Sequence, residues 1–256
     1  MRKQLNGEVV SDQDLWLYQF FEVPAFSPQT VREALEEAPE GEELVLEINS
    51  GGGSVFAGFE MYSVLQRAQR KTVAEIQSLA ASAATVVMLG CQEVVASPVA
   101  QVMIHLPSVT TEGDRYDHQD SIGLLDSVTD SILNAYTLKC GPRSSRDELR
   151  RLMKTSAWMT APEAKGLGLV DGILGEDEID PAAILNCAGG VCHGIRAMAA
   201  GHASPAVLRQ EYARLVAQGK APARGGIGEE PKDETELQEA KAKLELEKIR
   251  FFGGLQ

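Results

Sequence analysis

Two side chains in the sequence have the chemistry of a nucleophile and its general base. Ser82 carries the one hydroxyl in the small-residue run 79–84, and His105 directly follows the apolar segment 102–104. A serine hydroxyl is a weak nucleophile until a neighbouring base takes its proton, so Ser82 needs such a partner. Each residue also has a structural interpretation, as a tightly packed helix start and as a hydrogen-bonded histidine at a strand end. The other histidines lie at a helix start or in a small-residue tail: His118, His193 and His202.

The segments around Ser82 predict a tight turn between a strand and a helix. Residues 72–76 are typical of a strand, and 83–89 of a buried helix. Small neighbours let a substrate backbone approach the hydroxyl, and the free N–H groups of a helix start can face an oxyanion. We therefore expect Ser82 at this junction. We expect His105 at the end of a different strand, formed by residues 102–104.

A glycine-rich turn at 49–54 follows a predicted central strand, 44–48. It lacks the lysine of a Walker loop and the Gly-x-Gly-x-x-Gly fingerprint, so a nucleotide site is disfavoured. Glycines can instead present backbone N–H groups to a tetrahedral oxyanion. In a parallel α/β sheet, ligands bind beyond the carboxyl ends of the strands, where this turn and the Ser82 turn are both predicted to lie.

The order of elements predicts an α/β fold with a parallel sheet, because βα units repeat along the chain. Helix starts are indicated by Ser27 before Pro28 and by the Ser145/Glu148 capping box. A long amphipathic helix is expected over 117–139. The segment 15–21 is compatible with either a strand or a helix.

Composition excludes several classes of protein. With 256 residues and 44% hydrophobic residues, the chain has room for one sizeable domain and an appendage. The net charge of −13 argues against a protein that grips nucleic acid or an anionic membrane. Four cysteines without a disulfide-like framework fit the reducing cytoplasm. Because no apolar run of about 18 residues and no signal-peptide pattern occurs, we expect neither a membrane span nor a leader.

Composition changes near residue 176, so we expect three parts: a domain over 1–175, a flexible small-residue linker over 176–232, and a charged helical tail over 233–256. Cys187, Cys192 and His193 are close in sequence, but three candidate ligands without a second pair do not predict a zinc site. We expect no metal and no cofactor.

Four motifs, in their order and spacing, resemble those of the ClpP family of serine peptidases. They are 48–55, 79–83, 102–107, and 160–164 with 168–171. Within that family the chain most resembles the phage and prophage head-maturation (prohead) proteases. This resemblance rests on Ser11-Asp12 and on the stretch 158–161. The resemblance implies a ClpP/crotonase-like spiral of βαβ units, with the helix over 117–139 as the family's long handle helix and a partly helical C-terminal extension.

The resemblance also assigns roles. It makes Ser82 the nucleophile and His105 the base, with the N–H groups of Gly53 and Ala83 as the oxyanion hole. An extended polypeptide substrate would bind along two segments that contain Gly51, Gly52 and Leu106. A homo-oligomeric ring, a heptamer or double heptamer, is implied, whereas partnership with a Clp ATPase stays open because its docking elements are not recognisable in residues 1–44.

The third triad position falls on Ser156, where the family has an aspartate. Three explanations stay open: a weak dyad supported by Ser156 or Thr155, a carboxylate from elsewhere such as Asp147, or a protein that has lost activity. A serine can hold the imidazole tautomer but supplies no charge to stabilise imidazolium.

The function expected from the resemblance is a serine endopeptidase, ATP-independent or conditionally active. It would cut phage capsid or scaffold proteins in the host cytoplasm or within the prohead. Two alternatives are a catalytically impaired ring-forming assembly component and a crotonase-like acyl-CoA enzyme, since that fold also builds an oxyanion hole near a glycine turn.

Overall fold

A computed structural model describes residues 1–175 and 204–221 of the chain. In these residues eight strands form one sheet: β1 Arg2–Val9, β2 Ala25–Phe26, β3 Leu44–Gly53, β4 Thr72–Ala81, β5 Glu93–Ala96, β6 Gln101–Ile104, β7 Ala157–Thr160 and β8 Gly172–Ile173. The α-helices of the same residues are α1 Asp12–Phe20, α2 Pro28–Glu37, α3 Val55–Gln66, α4 Ala83–Gly90, α5 Arg115–Cys140, α6 Arg146–Lys154, α7 Ala161–Leu167 and α8 Pro205–Ala217.

The sheet is largely parallel, which confirms the predicted α/β class. Its strands lie in the order β2-β1-β3-β4-β5-β8, and β6 pairs with β4 and with β7. The pairing of β6 with β7 is antiparallel, and the prediction of parallel βα units did not contain β7. The end of α6 lies beside the residues that follow β6, since the Leu106 N–H donates to the Met153 carbonyl. β7 therefore starts at the carboxyl end of β6, with Ala157 opposite Ile104, and runs in the opposite direction.

Strand β4 organises the part of the sheet that carries the candidate site. Its first half pairs with β5, with Val73 opposite Glu93, and its second half pairs with β6, with Ala81 opposite Met103. The sequence predicted this strand over 72–76, five residues too short. Small residues have weak strand propensity, and the pairing with β6 extends the strand regardless.

Aliphatic side chains from the sheet and from α4 form the core. All eight residues of α4 are buried, as expected for a helix that is apolar on every side. Leu46 and Ile76 of the sheet and Met88 of α4 are fully buried. Removing side chains of this size from water stabilises the fold by about 1.5–3 kcal/mol each. The buried helix α4 therefore gives the turn at its N-terminus a fixed support.

The structure gives the bounds of several helices that the sequence predicted only approximately. Residues 15–21, compatible with a strand or a helix in the sequence, lie mostly in α1, whose first turn holds Asp12 and Asp14. The N-cap Ser145 accepts a hydrogen bond from the Glu148 N–H, which is one half of the predicted capping box. Helix α5 begins at Arg115, two residues earlier than expected, because the Asp114 carboxylate caps it.

A second structural unit combines Trp16–Val23 with the described C-terminal residues. Within this unit the Tyr212 ring packs edge-on against Trp16 and Phe20, with ring centroids 5.1 and 5.0 Å apart. Edge-to-face contacts of this kind are favourable beyond the area they bury. They hold α8 against the second half of α1.

Helix α8 lies inside the segment 176–232 that the sequence predicts as a flexible linker, so the structure differs from the prediction here. Ser204 caps the helix, Pro205 occupies its first turn, and Leu208 and Leu215 are buried. The rest of that segment, the predicted tail 233–256 and the Cys187–His193 cluster lie outside the described residues. None of the helices in 1–175 and 204–221 has the length and apolarity needed to span a bilayer.

Candidate active site

The structure brings Ser82 and His105 into contact. The Ser82 Oγ lies 2.7 Å from the His105 Nε2, and both side chains are partly buried. Strands β4 and β6 are parallel neighbours, so the residues that follow them emerge at the same edge of the sheet. The pairing of Ala81 with Met103 sets the register that places the hydroxyl beside the imidazole.

The backbone of Ser82 has a strained conformation. Its φ of 55° and ψ of −126° lie in a region that a residue with a Cβ rarely adopts. Such a conformation costs about 1–3 kcal/mol and persists where neighbouring groups enforce it. Here the Ser82 N–H donates to the Met103 carbonyl at 2.9 Å, and the Ser82 carbonyl accepts the Thr85 N–H at 3.0 Å. The strained turn presents the Ser82 hydroxyl at the start of α4.

The glycine segment 51–53, predicted as part of a turn after a strand over 44–48, forms the end of β3 in the structure because its pairing with β1 extends the strand. This segment packs directly against the Ser82 turn. A Cβ added to Gly52 would lie 2.6 Å from the Ser82 Cβ and 3.1 Å from the Ala83 nitrogen, and the Gly52 φ is 105°. Ser50 fixes this end of β3, since its hydroxyl accepts the Gly52 N–H at 3.1 Å and donates to the Gly7 carbonyl at 2.6 Å. Gly52 is buried and supports the Ser82 turn from beneath.

Two backbone N–H groups are candidates for binding an oxyanion. Ala83 is the first residue of α4, so its N–H has no acceptor within the helix. Gly53 ends β3, and both residues line the cleft that contains Ser82 and His105. This is the geometry in which a tetrahedral intermediate at Ser82 would find donors.

The residues predicted to bind substrate occupy different environments. Gly52 and Gly53 are paired with Glu8 and Val9 of β1, so this edge of β3 already has a strand partner. Gly51 precedes them in β3 and is partly buried. Leu106 is also partly buried, and its N–H donates to the Met153 carbonyl at 3.2 Å. An extended substrate therefore has to approach from the cleft, beyond Gly53 and past the segment that follows His105.

The cleft has a volume of about 280 Å³, and polar and apolar groups line it in nearly equal parts. Val55 and Phe56 at the start of α3 face it, together with Val86 of α4 and Ile132 and Tyr136 of α5. Pro107 and Ser108 follow His105 on its other side. A cleft of this size and character accepts one apolar side chain next to the reacting carbonyl.

The surroundings of His105 keep its imidazole neutral. Burial lowers the pKa of His105 below its ordinary value, and a backbone hydrogen bond with Leu106 opposes this shift in part. Among the described residues no carboxylate forms an ion pair with His105. A neutral imidazole is the form that can accept the proton of Ser82.

Ser156 lies at the turn between α6 and β7, close to the backbone that follows His105. Its N–H donates to the Met153 carbonyl at 3.1 Å, the same carbonyl that accepts the Leu106 N–H. Ser156 is exposed, has a φ of 51°, and its hydroxyl forms no hydrogen bond with the imidazole within residues 1–175. The structure thus places Ser156 near the base without a direct contact.

The other groups considered for the third position lie farther away or have other partners. The Thr155 hydroxyl donates to the Leu152 carbonyl at 3.0 Å, at the end of α6. Asp147 is exposed in the first turn of α6, six residues before Met153. At about 1.5 Å per residue it lies roughly 9 Å along the axis from the carbonyl beside Leu106. The geometry does not support Asp147 as a partner of His105.

Two residues beside the site were not predicted to take part in it. Thr85, in α4, is fully buried, and its hydroxyl contacts both the Ser82 carbonyl and the Tyr136 hydroxyl. The sequence predicted the helices that carry these two residues and gave neither residue a role in the site. A signal existed, because a threonine inside an otherwise apolar helix requires a buried hydrogen-bond partner.

Comparisons with known proteins identify the family. A family model described as Clp protease matches residues 31–177, more than half of the chain. A relative from Chlamydia abortus, named ATP-dependent Clp protease proteolytic subunit 1, is 33% identical over 144 residues, which cover 55% of this chain and 74% of the relative. The subunit of the same name from Chlamydia trachomatis has the same identity and coverage.

A third relative is more distant. The ATP-dependent Clp protease proteolytic subunit of Bacteroides fragilis is 28% identical over 142 residues, which cover 55% of this chain and 68% of the relative. The chain belongs to the Clp protease family. Membership indicates serine peptidase chemistry and does not favour an acyl-CoA enzyme, whereas the phage prohead branch is not established by these matches.

Proposed function

We propose that the protein is a serine endopeptidase in which Ser82 is the nucleophile and His105 the general base. The observation that carries this proposal is the 2.7 Å contact between the Ser82 Oγ and the His105 Nε2 at a strained turn that faces a cleft. Strain at a site held by several hydrogen bonds is typical of functional residues. Family membership supports the same chemistry.

The reaction follows from the positions of these atoms. The Ser82 Oγ attacks the scissile carbonyl carbon while the His105 Nε2 takes the hydroxyl proton. The resulting oxyanion receives hydrogen bonds from the N–H groups of Gly53 and Ala83. The imidazolium then gives its proton to the leaving amine as the C–N bond breaks. Water, deprotonated by His105, attacks the acyl-enzyme, and the proton returns to Ser82 as the acid is released.

The third position sets the rate. Ser156 supplies no negative charge to stabilise the imidazolium, and loss of a triad carboxylate costs on the order of 10⁴-fold in turnover where the carboxylate was needed. We therefore propose a slow or conditionally active enzyme, with Ser156 supporting His105 through its turn. Slow turnover is sufficient for a protease that cuts each substrate once.

We propose phage capsid or scaffold proteins as substrates, cut in the bacterial cytoplasm or within the prohead by an ATP-independent or conditionally active enzyme. The resemblance of Ser11-Asp12 and of the stretch 158–161 to head-maturation proteases supports this substrate class. The family match spans residues 31–177 and leaves partnership with a Clp ATPase open. The peptidase domain proposed for these steps is 1–175.

A homo-oligomeric ring, a heptamer or double heptamer, is the proposed assembly. Members of the Clp protease family form rings. The first half of α5 supports an assembly of this kind because it exposes large apolar side chains: Tyr116, Ile122 and Leu124. Exposed apolar residues concentrated on one helix are typical of a contact with another chain.

Hydrolysis of fluorogenic peptides tests the proposed function. Peptides with an apolar residue before the scissile bond should be cleaved, because Val55, Phe56 and Val86 lie in the lining of the cleft. Ser82→Ala should abolish cleavage and leave the unfolding temperature unchanged. Cleavage that persists in Ser82→Ala would refute the assignment.

A ring-forming component without catalysis is the second candidate, and the neutral residue at Ser156 favours it. It predicts normal assembly by analytical ultracentrifugation with no cleavage of any peptide by the wild-type protein.

Incubation with purified capsid or scaffold protein, compared with an unrelated unfolded protein, tests the substrate class. Equal cleavage of both would contradict a dedicated phage substrate.

A further inference from the structure

Two buried hydroxyls link the long helix α5 to the nucleophile turn. The Tyr136 hydroxyl lies 2.6 Å from the Thr85 Oγ1, which in turn lies 2.5 Å from the carbonyl oxygen of Ser82. Tyr136 is 1% exposed and Thr85 is fully buried. Buried hydroxyls in such a chain are shielded from water, so each hydrogen bond is strong and its loss is costly.

The direction of the protons in this chain is fixed by its last member. A carbonyl oxygen can only accept, so the Thr85 hydroxyl donates to Ser82. The Thr85 oxygen must therefore accept the proton of Tyr136. Burial raises the pKa of Tyr136 well above its ordinary value, which keeps the phenol protonated and able to donate.

The carbonyl at the end of the chain shares a peptide group with a candidate oxyanion donor. The Ser82 C=O and the Ala83 N–H belong to one planar peptide, and the described residues contain no cis peptide bond. In a trans peptide the N–H points opposite to the C=O. Holding the carbonyl toward Thr85 and α5 therefore directs the Ala83 N–H to the opposite side. Hydrogen bonds to the carbonyl also polarise the peptide and strengthen its N–H as a donor.

We propose that the Tyr136–Thr85 hydroxyl relay positions the Ala83 N–H to stabilise the oxyanion. Tyr136 and Thr85 are positioning residues, since they act through the Ser82–Ala83 peptide. The inference rests on the proposed peptidase function and adds to it a part of α5 that holds the oxyanion hole in place. Without the relay, the Ser82 carbonyl still accepts the Thr85 N–H. It loses the hydrogen bond from the Thr85 hydroxyl, which resists rotation of the Ser82–Ala83 peptide.

Three variants test the relay. Tyr136→Phe keeps the ring and removes the hydroxyl, Thr85→Val keeps the shape and removes the hydroxyl, and Thr85→Ser keeps the hydroxyl. We expect kcat for a fluorogenic peptide to fall about tenfold in the first two, less than the 10²–10³ for loss of a whole donor. KM should stay within about twofold, because the relay acts on the transition state. Thr85→Ser should restore most of kcat.

A peptide aldehyde adds a second readout, because it forms a tetrahedral adduct with an oxyanion at Ser82. Its inhibition constant should rise by the same factor as kcat falls, and the pH dependence of kcat/KM should not move. Wild-type kcat in Tyr136→Phe and Thr85→Val would overturn the relay. So would a loss of kcat with a matching rise of KM, or equal losses in Thr85→Ser and Thr85→Val.

The proposed function is judged separately, by Ser82-dependent cleavage in the wild type. An active wild type and an inactive Ser82→Ala protein, together with unaffected relay variants, would refute the relay alone. Absence of Ser82-dependent cleavage in the wild type would refute both. Thermal unfolding of each variant identifies any loss of activity that follows from loss of the fold.

Discussion

His105 must be neutral to accept the proton of Ser82, and its burial favours the neutral form. Because the pKa of His105 is lowered, the base stays competent at a lower pH than an exposed histidine, whose pKa is about 6.5. We expect kcat/KM to fall as pH falls through the His105 pKa, with its half-maximum below 6.5. A pH profile of peptide hydrolysis checks this, and a half-maximum clearly above 6.5 would contradict it.

The missing charge at Ser156 gives a gain-of-function prediction. Ser156→Asp should raise kcat by at least tenfold, because a carboxylate near His105 stabilises the imidazolium formed in the transition state. The same charge should raise the His105 pKa and move the acidic limb of the pH profile upward. Steady-state kinetics across pH measure both effects.

Ser156→Asn is the matched control. Asparagine and aspartate tolerate the positive φ of this position equally well and differ in charge. Equal activity of the Asp and Asn variants would show that charge at this position does not limit the reaction. Absence of cleavage by the wild type and by both variants would favour an assembly component whose catalytic function has been lost.

The glycine segment at the end of β3 packs closely against the nucleophile turn and constrains the site. Gly52→Ala would place a Cβ 2.6 Å from the Ser82 Cβ in a residue with a φ of 105°. We expect activity to fall at least 100-fold and the free energy of unfolding to drop by about 1–3 kcal/mol. Peptide hydrolysis and chemical denaturation measure the two effects.

Gly123→Ala is the control for that substitution. Gly123 lies within α5, and a Cβ added there meets nothing within 4 Å. Alanine should stabilise the helix by about 0.5–1 kcal/mol and leave hydrolysis unchanged. A Gly52→Ala protein that behaves like Gly123→Ala would contradict the packing described for the glycine turn.

Some elements followed from the sequence because local chemistry defines them. The start of α6 is an example, since Ser145 caps it directly. The full length of β4 could not be predicted, because its second half is a strand through pairing with β6. β7 was missed for a similar reason. Its four residues join the sheet through an antiparallel neighbour that the local pattern does not indicate.

The sequence predicted the pair of Ser82 and His105 but not the hydrogen bonds that surround it. Ser82 and His105 were named from their residue types and positions at the ends of elements, and the structure places them in contact. Thr85 and Tyr136 were not named, because their hydrogen bond joins residues 51 positions apart in the chain, on two different helices. The environment of Ser156 also depends on tertiary contacts, since the Met153 carbonyl connects its turn to Leu106.

At the scale of the whole molecule, the exposed apolar side chains of α5 are the surface that we propose for assembly. Ile122 is 61% exposed on that helix, and burying it against another chain would remove apolar surface from water. Ile122→Glu should reduce the assembly to smaller particles, measured by sedimentation velocity. Ser127→Glu adds the same charge at an exposed polar position of α5 and should leave the assembly intact. A full-sized particle in Ile122→Glu would argue against this surface.

Covalent labelling tests the central claim most directly. A fluorophosphonate reacts with a serine only when a base activates the hydroxyl and donors stabilise the oxyanion. We predict that intact-mass spectrometry shows one adduct per chain, that peptide mapping places it on Ser82, and that Ser82→Ala and His105→Gln remove it. A folded wild-type protein that takes up no label, or takes it up on another serine, would contradict the account.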